Sequence, residues 1–360
     1  MKILCVIDSL GSGGAQRQLV ELAKGFKEKG HQVSFLVYHN EFFFKNVLDE
    51  CQISVVAIIE PNYIRRLFKM RQYIRRGNFE VVLSFLEAAN FICEIAGLPW
   101  RKWKLIVGER SANPNILKSI KLRFYRWAHV LADYVVANSN ANLEIIRKIN
   151  PLLSVSKCKV LYNIVDFDKW KSDPDFVPFK GGKLNLIVVA SHQYIKNARG
   201  LITAIDKLNY RDKQRIKVDW YGEKRADNSL DEAQNLVVKH SITHLFTFHN
   251  ATKDICQKMQ HADVVGLFSF YEGLPNTICE GMVLGKPIIS SAVSDVPKLL
   301  CNNLNLTFNP NSSDDISRVL SYILSLDFQT LEKIGQNNMT MGYCFFEKNK
   351  IILGYLELFK

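Results

Sequence analysis

The chain runs ADVVGLFSFYEGLPNTICEG from Ala262 to Gly281, and this stretch decides the fold. Its first part, Ala262–Phe268, is a short apolar run that predicts a buried strand, whereas Thr277–Leu284 has the pattern of a helix. Glu272 would then lie on the strand-to-helix loop, and Glu280 about one turn into the helix. In an open parallel sheet, ligands bind at this edge.

The loop and the helix start offer two kinds of binding group. Backbone N–H groups at a helix start favour a phosphate, whereas the carboxylates of Glu272 and Glu280 accept hydrogen bonds from hydroxyl groups. A site with both suits a sugar nucleotide, in which many hydroxyls surround a diphosphate. Two glutamates at this spacing are more often solvated side chains. The neighbouring Gly273–Asn276 and the closing Gly285–Pro287 favour a binding site instead.

Apolar strand-like runs alternate with helical segments along the whole chain. This alternation predicts two doubly wound, Rossmann-like α/β domains with parallel sheets, which we expect to face each other across a cleft. The predicted strands are Lys2–Ile7, Gln32–Tyr38, Ser54–Ile59, Glu80–Phe85, Leu105–Gly108 and Tyr134–Asn138, then Leu184–Ala190, Ile216–Tyr221, Leu245–Phe248, Asp263–Phe268 and Pro287–Ser290. The predicted organisation is an N-terminal domain (1–165), a linker (166–183), a second domain (184–340) that carries the Glu272–Glu280 site for a sugar nucleotide, and a C-terminal segment (341–360) that forms a helix packing back on the first domain.

Composition sets the broad class. The length of 360 residues suggests two cores, and 48% hydrophobic with 23% charged residues is ordinary for a globular protein. No apolar run is long enough to span a bilayer, and Ile3–Ile7 is too short for a signal peptide. The eight cysteines form no Cys-x-x-Cys pair, which is typical of reduced thiols. We therefore expect a cytoplasmic protein without a disulfide framework.

The net charge of +12 is concentrated before residue 130, in segments that also carry aromatic residues. Such segments are typical of a membrane-surface element attracted to anionic lipid. Nucleic acid can bind to the same charge. A solvated basic face over ordinary core residues explains the pattern equally well. The basic residues are Arg65, Arg66, Lys69, Arg71, Arg75, Arg76, Arg101, Lys102, Lys104, Lys118, Lys121, Arg123 and Arg126, among Tyr63, Phe68, Trp100, Trp103, Phe124 and Trp127.

Further candidates follow other predicted strands. Gly11–Gln16 contains Gly13 and Gly14 at a strand-to-helix turn, where the backbone can approach a ligand closely. It fits the dinucleotide fingerprint Gly-x-Gly-x-x-Gly poorly, so an NAD-dependent enzyme is only weakly favoured. Lys196 follows the first strand of the second half and can neutralise charge on a leaving diphosphate, with His192 beside it. Each of these residues has an ordinary structural interpretation as well.

Two remaining features concern metals and acceptors. Asp173-Pro174-Asp175 has the spacing of a metal-binding Asp-x-Asp, but it lies in the predicted linker and not at the end of an apolar strand. We therefore predict no metal site. Arg110 follows the strand Leu105–Gly108 and is placed to hold an acceptor phosphate or carboxylate, or to brace its own loop.

The quoted motifs resemble those of the family 4 glycosyltransferases. Gly13–Gln16 before a helix, with Gly30–Val33 after it, is similar to the opening of that family. The block from Ala262 through Glu272–Asn276 and Glu280–Met282 to Gly285–Pro287 is similar to its most recognisable motif. The match covers nearly the whole chain. It implies the GT-B fold, a retaining hexosyltransferase mechanism, a nucleotide-activated sugar donor, and no metal or other cofactor.

The resemblance also implies individual roles. Glu272 and Lys196 would be catalytic, with Glu272 at the donor sugar and Lys196 at the departing diphosphate. The donor-binding residues would be Gly13, Gly14, His192, Gly273, Leu274, Pro275, Asn276, Thr277 and Glu280, with Glu280 on the ribose hydroxyls. Asn90 and Arg110 are the acceptor-side candidates, because Ser84–Leu86 with Asn90 and Glu109–Arg110 is similar to a subgroup acting on bacterial surface polysaccharides such as lipopolysaccharide and capsule.

Two departures separate this chain from the family pattern. An arginine usually precedes the lysine, whereas here Ser191-His192 occupies that place, so His192 or Arg199 would substitute. A histidine expected after the fourth strand is absent from Leu86–Asn90. The main hypothesis is transfer of a sugar, from a UDP-sugar, to a lipid-linked saccharide at the inner face of the plasma membrane, without nucleic acid. The alternative is a non-catalytic nucleotide-sugar or membrane-binding protein with the same fold.

Overall fold

The computed structural model describes residues 1–173, 176 and 182–360, and the chain forms two compact units. Unit 1 comprises Met1–Ile164 and Lys348–Lys360, and unit 2 comprises Val165–Glu347. The predicted linker 166–183 therefore begins within unit 2. Two residues of the Asp-x-Asp sequence, Pro174 and Asp175, and residues 177–181 of the linker lie outside the described residues.

Unit 1 is built on a parallel sheet in the order β3-β2-β1-β4-β5-β6-β7. Its strands are β1 (Lys2–Val6), β2 (Gln32–Val37), β3 (Ser54–Ala57), β4 (Val81–Phe85), β5 (Lys104–Glu109), β6 (Tyr134–Ala137) and β7 (Cys158–Val160). Its helices are α1 (Gly14–Glu28), α2 (Lys45–Glu50), α3 (Tyr63–Arg76), α4 (Glu87–Ala96), α5 (Ile120–Trp127), α6 (Asn140–Ile149) and α15 (Lys348–Phe359).

Unit 2 repeats this architecture with the order β10-β9-β8-β11-β12-β13. Its strands are β8 (Leu184–Val189), β9 (Ile216–Tyr221), β10 (Phe246–His249), β11 (Val264–Leu267), β12 (Ile288–Ser291) and β13 (Thr307–Phe308). Its helices are α7 (Ala198–Asp206), α8 (Tyr210–Gln214), α9 (Ser229–Lys239), α10 (Ile255–Gln260), α11 (Asn276–Val283), α12 (Val296–Leu299), α13 (Ser313–Ser325) and α14 (Phe328–Phe346).

Both sheets confirm the prediction of parallel, doubly wound domains. Their strands are continuous apolar runs because helices cover both faces of such a sheet. All eleven predicted strands are present within one or two residues of the expected ends. The two strands that the sequence did not predict are β7 and β13. They contain three and two residues, which is too short for an apolar pattern to appear.

The last helix, α15, packs against α1 in unit 1. Ile352 and Tyr355 are fully buried there, and Phe26 of α1 meets the rings of Tyr355 and Phe359 edge-on. Gly25 makes this contact possible, because a Cβ atom on it would lie 1.9 Å from the side chain of Ile352. Helix α15 is therefore part of the core of unit 1.

The opposite face of the unit 1 sheet contains a buried ionic cluster, which we define as Glu94, Glu109, Arg126 and His129. His129 Nδ1 lies 2.6 Å from Glu94 Oε1, and its Nε2 lies 3.1 Å from Glu109 Oε1. Arg126 Nη2 donates to Glu109 Oε2 at 2.7 Å. The four charges balance when His129 is protonated, and this balance is what allows them to stay away from water.

Both carboxylates beside the imidazole raise the pKa of His129 from 6.5 to about 9, against the opposing effect of burial. Burial in turn raises the pKa of Glu94, whereas Arg126 and His129 hold the pKa of Glu109 below its ordinary value. His129 is therefore an imidazolium at neutral pH.

Among the described residues, none of the helices is both long and apolar enough to cross a membrane.

The ionic cluster predicts a pH dependence of stability. Because the pKa of His129 is raised to about 9 by folding, its contribution to stability is complete below pH 6.5 and decreases as the pH rises toward 9. The loss amounts to a free energy on the order of 3 kcal/mol. Lys286 in unit 2 has the opposite effect. Burial lowers its pKa to about 8, so its contribution to stability increases as the pH rises above 8.

Melting temperatures measured between pH 6.5 and 8 will test this prediction. We expect the melting temperature of the wild type to fall across this range, and that of His129→Gln to start lower and change little. His39→Gln, at an exposed position, is the matched control and should follow the wild type. Equal slopes in the wild type and His129→Gln would contradict the assignment.

Candidate functional site

The candidate site lies at the carboxyl-end edge of the unit 2 sheet, where β8 and β11 are neighbours. The chain leaves β8 and β11 toward opposite sides of the sheet at this point, which creates the crevice in which open α/β sheets bind ligands. Lys196 follows β8, and Glu272 follows β11. The two residues are thus brought together although 76 positions separate them.

Lys196 ends a single 3-10 turn, Tyr194–Lys196, that is fixed by the next residue. Asn197 adopts a left-handed conformation (φ 59°, ψ 42°) that asparagine tolerates better than most residues. Its amide donates to the carbonyls of Phe268 and Pro310, and its Oδ1 accepts from Gly200 N. Asn197 therefore joins the Lys196 turn to the chain after β11.

The side chains of Lys196 and Glu272 form an ion pair, with Nζ 2.6 Å from Oε1. The two side chains are 17% and 16% exposed, so the pair is largely shielded from solvent at the carboxyl-end edge of the sheet. The loops are also joined through their backbones, because Phe270 N donates to Ile195 O at 2.9 Å. A cation and an anion are therefore held in fixed positions beside one opening.

Helix α11 begins at Asn276 beside this pair. Thr277 Oγ1 donates to Val189 O, the last carbonyl of β8, at 2.9 Å. Ser294 Oγ donates to Gly273 O in the preceding loop. The N-terminal turn of α11 is thereby fixed against the carboxyl end of β8, with its backbone N–H groups at the edge of the sheet.

Glu280 lies one turn into α11, as predicted, and only 5% of its surface is exposed. Helix α14 packs against α11, and the backbones come into contact at two glycines, Gly285 after α11 and Gly335 in α14. Gly285 ends the α11 segment with φ +70°, and a Cβ atom on Gly335 would lie 2.1 Å from its carbonyl oxygen. Asn338 Nδ2 also donates to Lys286 O. Gly285 and Lys286 of the Gly-Lys-Pro sequence thus contact α14, which packs against the helix that carries Glu280.

His192 lies on the same edge but faces inward. It is 4% exposed, its ring packs near Trp220 and Phe248, and Nε2 donates to the carbonyl of His249 at 3.1 Å. Burial lowers the pKa of His192, with the carbonyl of His249 offsetting part of the effect. The structure therefore places a neutral imidazole in the interior and not at the Lys196–Glu272 pair.

The remaining predicted residues belong to unit 1. Gly13 caps α1 and Gly14 is its first residue, at the carboxyl end of β1. Asn90 is fully buried, where it accepts from Ser84 Oγ and donates to Gly108 O, so it ties β4 to β5.

Arg110 is half-buried in unit 1, and its cation is engaged on three sides. The guanidinium lies 3.8 Å from the Phe85 ring centroid and donates to Asn163 Oδ1 and Tyr355 Oη. Burial lowers its pKa, and Tyr355 opposes that effect. This geometry favours the second of the two interpretations of Arg110, in which it braces its own loop.

Sequence patterns did not identify Asn197 or Ser294 as parts of the site. Ser294 has φ 52°, and both residues act through contacts with loops far along the chain. An asparagine after Lys196 at a helix start was the only available signal. Within the part of the chain that the structure describes, no group of three or more His, Cys, Asp and Glu residues is arranged to hold a metal.

The family comparisons cover both units. Residues 171–341 match the model described as Glycosyl transferases group 1, and residues 12–169 match Glycosyltransferase Family 4. The chain is 26% identical to a Campylobacter jejuni enzyme, over 99% of this chain and 98% of that protein. That enzyme is GalNAc-alpha-(1->4)-GalNAc-alpha-(1->3)-diNAcBac-PP-undecaprenol alpha-1,4-N-acetyl-D-galactosaminyltransferase.

Solved structures show the same fold. Anabaena HepE, in complex with UDP and glucose, superposes with a TM-score of 0.86 at 18% identity, over 99% of this chain and 98% of that one. A glycosyltransferase from Rickettsia africae has a TM-score of 0.84 at 20% identity, over 100% and 97% of the two chains. The two family models together cover residues 12–169 and 171–341, so the chain belongs to the family 4 glycosyltransferases, and its fold is the GT-B fold of these solved structures.

Proposed function

We propose that this glycosyltransferase moves a sugar, with retention of anomeric configuration, from a UDP-sugar to a lipid-linked saccharide in surface-glycan biosynthesis. The observation that carries the proposal is the Lys196–Glu272 pair beside the start of α11, because it combines a cation, a carboxylate and backbone N–H groups at one edge. The C. jejuni relative, whose name specifies an undecaprenol-linked acceptor, supports the acceptor class. HepE, crystallised with UDP and glucose, supports the donor class.

In this proposal, three groups share the binding of the donor. The buried Glu280 would accept hydrogen bonds from the ribose hydroxyls, and the Gly273–Thr277 backbone would bind the diphosphate and the sugar. Lys196 would exchange its bond to Glu272 for one to the diphosphate, whose two phosphates carry more negative charge than one carboxylate. Glu272, released from the lysine, would then face the donor sugar.

Transfer needs no nucleophile from the protein in this scheme. The bond between the anomeric carbon and the phosphate oxygen breaks, and the acceptor oxygen bonds to the same face of that carbon. The acceptor proton passes to the leaving phosphate oxygen. Lys196 and the α11 N–H groups stabilise the charge that develops on the diphosphate. Because Lys196 supplies the cation at this point, we infer that transfer requires neither metal nor other cofactor, and EDTA should leave the rate unchanged.

A surface of unit 1 would hold the enzyme at the membrane. Helices α3 and α5 both pack against α4, and their outer sides expose large apolar residues among cations. We call this surface the basic aromatic face. It comprises Ile64, Phe68, Trp100, Ile120 and Phe124, with Arg65, Lys69, Lys118, Lys121 and Arg123. Exposed Phe and Trp beside Lys and Arg suit the headgroup region of an anionic bilayer, here the inner face of the plasma membrane.

The direct test is a transfer assay. The purified protein is incubated with labelled UDP- and GDP-sugars and a synthetic polyprenyl-diphosphate disaccharide, with and without EDTA. We expect one UDP-sugar to be transferred and the product to keep the anomeric configuration of the donor, as seen by NMR. Binding of nucleotide sugars without any transfer or hydrolysis would contradict the proposal.

Replacing Glu280 should weaken nucleotide binding. Loss of a charged hydrogen-bond acceptor costs about 1.5–3 kcal/mol, so Glu280→Ala should raise the Kd for UDP about 10- to 100-fold in calorimetry. Glu280→Gln should show a smaller effect because it keeps one acceptor oxygen. An unchanged circular dichroism spectrum and melting temperature are the controls that the variant is folded. An unchanged Kd in a folded Glu280→Ala protein would exclude the ribose assignment.

Replacing Glu272 should separate binding from turnover. Glu272 would face the donor sugar and not the nucleotide, so Glu272→Gln should change the Kd for UDP less than about threefold, whereas kcat should fall about 100-fold. Glu232→Gln, an exposed change in the same unit, is the control and should match the wild type. A wild-type kcat in Glu272→Gln would remove this residue from the reaction.

The basic aromatic face should control membrane binding. Phe68→Ser with Phe124→Ser removes two side chains that are 65% and 59% exposed, and should lower binding to anionic vesicles by at least about tenfold. Tyr210→Ser, which is 80% exposed in unit 2, is the control. Binding is measured by vesicle flotation, and it should also weaken in high salt. Equal binding of the double variant and the wild type would exclude this face.

A further inference from the structure

Glu87 connects the buried ionic cluster of unit 1 to the surface. Its Oε1 accepts from Arg126 Nη2 at 3.2 Å, and the same nitrogen donates to Glu109 Oε2 at 2.7 Å. Arg126 is fully buried, whereas the Glu87 side chain is 29% exposed. The four residues of the cluster are all buried, so the partly exposed Glu87 connects this network to solvent.

The backbone before Glu87 adopts a conformation that is rare for its residue type. Leu86 has φ 77° and ψ 151°, a region that is essentially restricted to glycine. It joins the end of β4 to the first residue of α4. A leucine persists there only when the surrounding structure imposes the turn, and such turns concentrate at functional sites.

This turn lies at the ligand-binding edge of unit 1. In the order β3-β2-β1-β4, strands β1 and β4 are parallel neighbours, and the order in which successive strands join the sheet reverses between them. Glu87 follows β4, so it is at the carboxyl-end edge beside this switch point. Its partner Arg126 belongs to α5, which also carries Ile120 and Phe124 of the basic aromatic face.

The chemistry of this arrangement selects a ligand class. A carboxylate accepts hydrogen bonds, and Arg126 Nη2 holds the Glu87 carboxylate in place by donating to its Oε1 at 3.2 Å. Hydroxyl groups of a saccharide are suitable donors. A glutamate in the first turn of α4 is also favoured by the helix dipole, but that effect requires neither a fully buried arginine behind it nor the Leu86 turn.

We propose that Glu87 binds a hydroxyl group of the acceptor saccharide, with Arg126 as the residue that positions it. This assignment rests on the proposed function, because it presumes a saccharide acceptor in unit 1. It places the acceptor sugar next to α5, whose exposed apolar residues would face the lipid that carries it.

The test is a cycle that combines Glu87→Gln with acceptors lacking single hydroxyls. The probes are a synthetic polyprenyl-diphosphate disaccharide and its deoxy analogues, each missing one hydroxyl of the terminal sugar. Glu87→Gln should raise the KM for the intact acceptor about 10- to 100-fold, as expected for a hydrogen bond to a charged group. Glu144→Gln, at an exposed position in α6 of the same unit, is the matched control.

One deoxy analogue should identify the contact. In the wild type it should raise the KM by a similar factor, whereas in Glu87→Gln the same analogue should have no further effect, since the interaction is already lost. A purely structural role predicts a lowered melting temperature and additive effects of Glu87→Gln and every deoxy analogue on the KM. Additive effects for every analogue overturn the inference, and so does an unchanged KM for the intact acceptor in Glu87→Gln.

The outcome also separates this inference from the proposed function. Transfer by the wild type together with an unchanged acceptor KM in Glu87→Gln overturns the role of Glu87 and leaves the function intact. Absence of any transfer by the wild type overturns the function and this inference together.

Discussion

The parallel arrangement of the strands is the constraint on which the structure depends. In each sheet all strands end at the same edge, so the segments that follow neighbouring strands must lie side by side. In unit 2 this places Lys196, after β8, against Glu272, after β11. No local pattern around either residue encodes that distance. The ion pair follows from the order in which the strands pair.

Fixing the site then requires contacts between loops. Asn197 ties the Lys196 turn to the carbonyls of Phe268 and Pro310, and Thr277 ties α11 to the end of β8. The tight packing of Gly335 on Gly285 supports α11 from behind. The two glutamates consequently differ in environment. Glu272 lies in an ion pair at the carboxyl-end edge of the sheet, whereas Glu280 is 5% exposed within the helix.

Unit 1 shows what buried charge contributes in such a fold. Apolar residues of similar size often stabilise a core as well as a buried ion pair does, so stability alone does not explain Arg126 or His129. Through Arg126, the cluster holds the partly exposed carboxylate of Glu87 in one orientation. It also makes the unit sensitive to pH, because removing the proton from His129 leaves two carboxylates against one guanidinium.

The sequence by itself determined the two parallel α/β units, the strand-to-helix position of Glu272 and the place of Glu280 in α11. These features are local, because apolar runs, glycines and helix starts act over a few residues. The tertiary structure decided in which direction each side chain points and which groups it contacts. His192 follows β8 as Lys196 does, but its ring turns inward to the carbonyl of His249. Asn90 and Arg110 follow strands of unit 1, yet their polar groups bind neighbouring segments. The direction and partners of a side chain depend on contacts between distant segments, and these exist only once the sheets have formed.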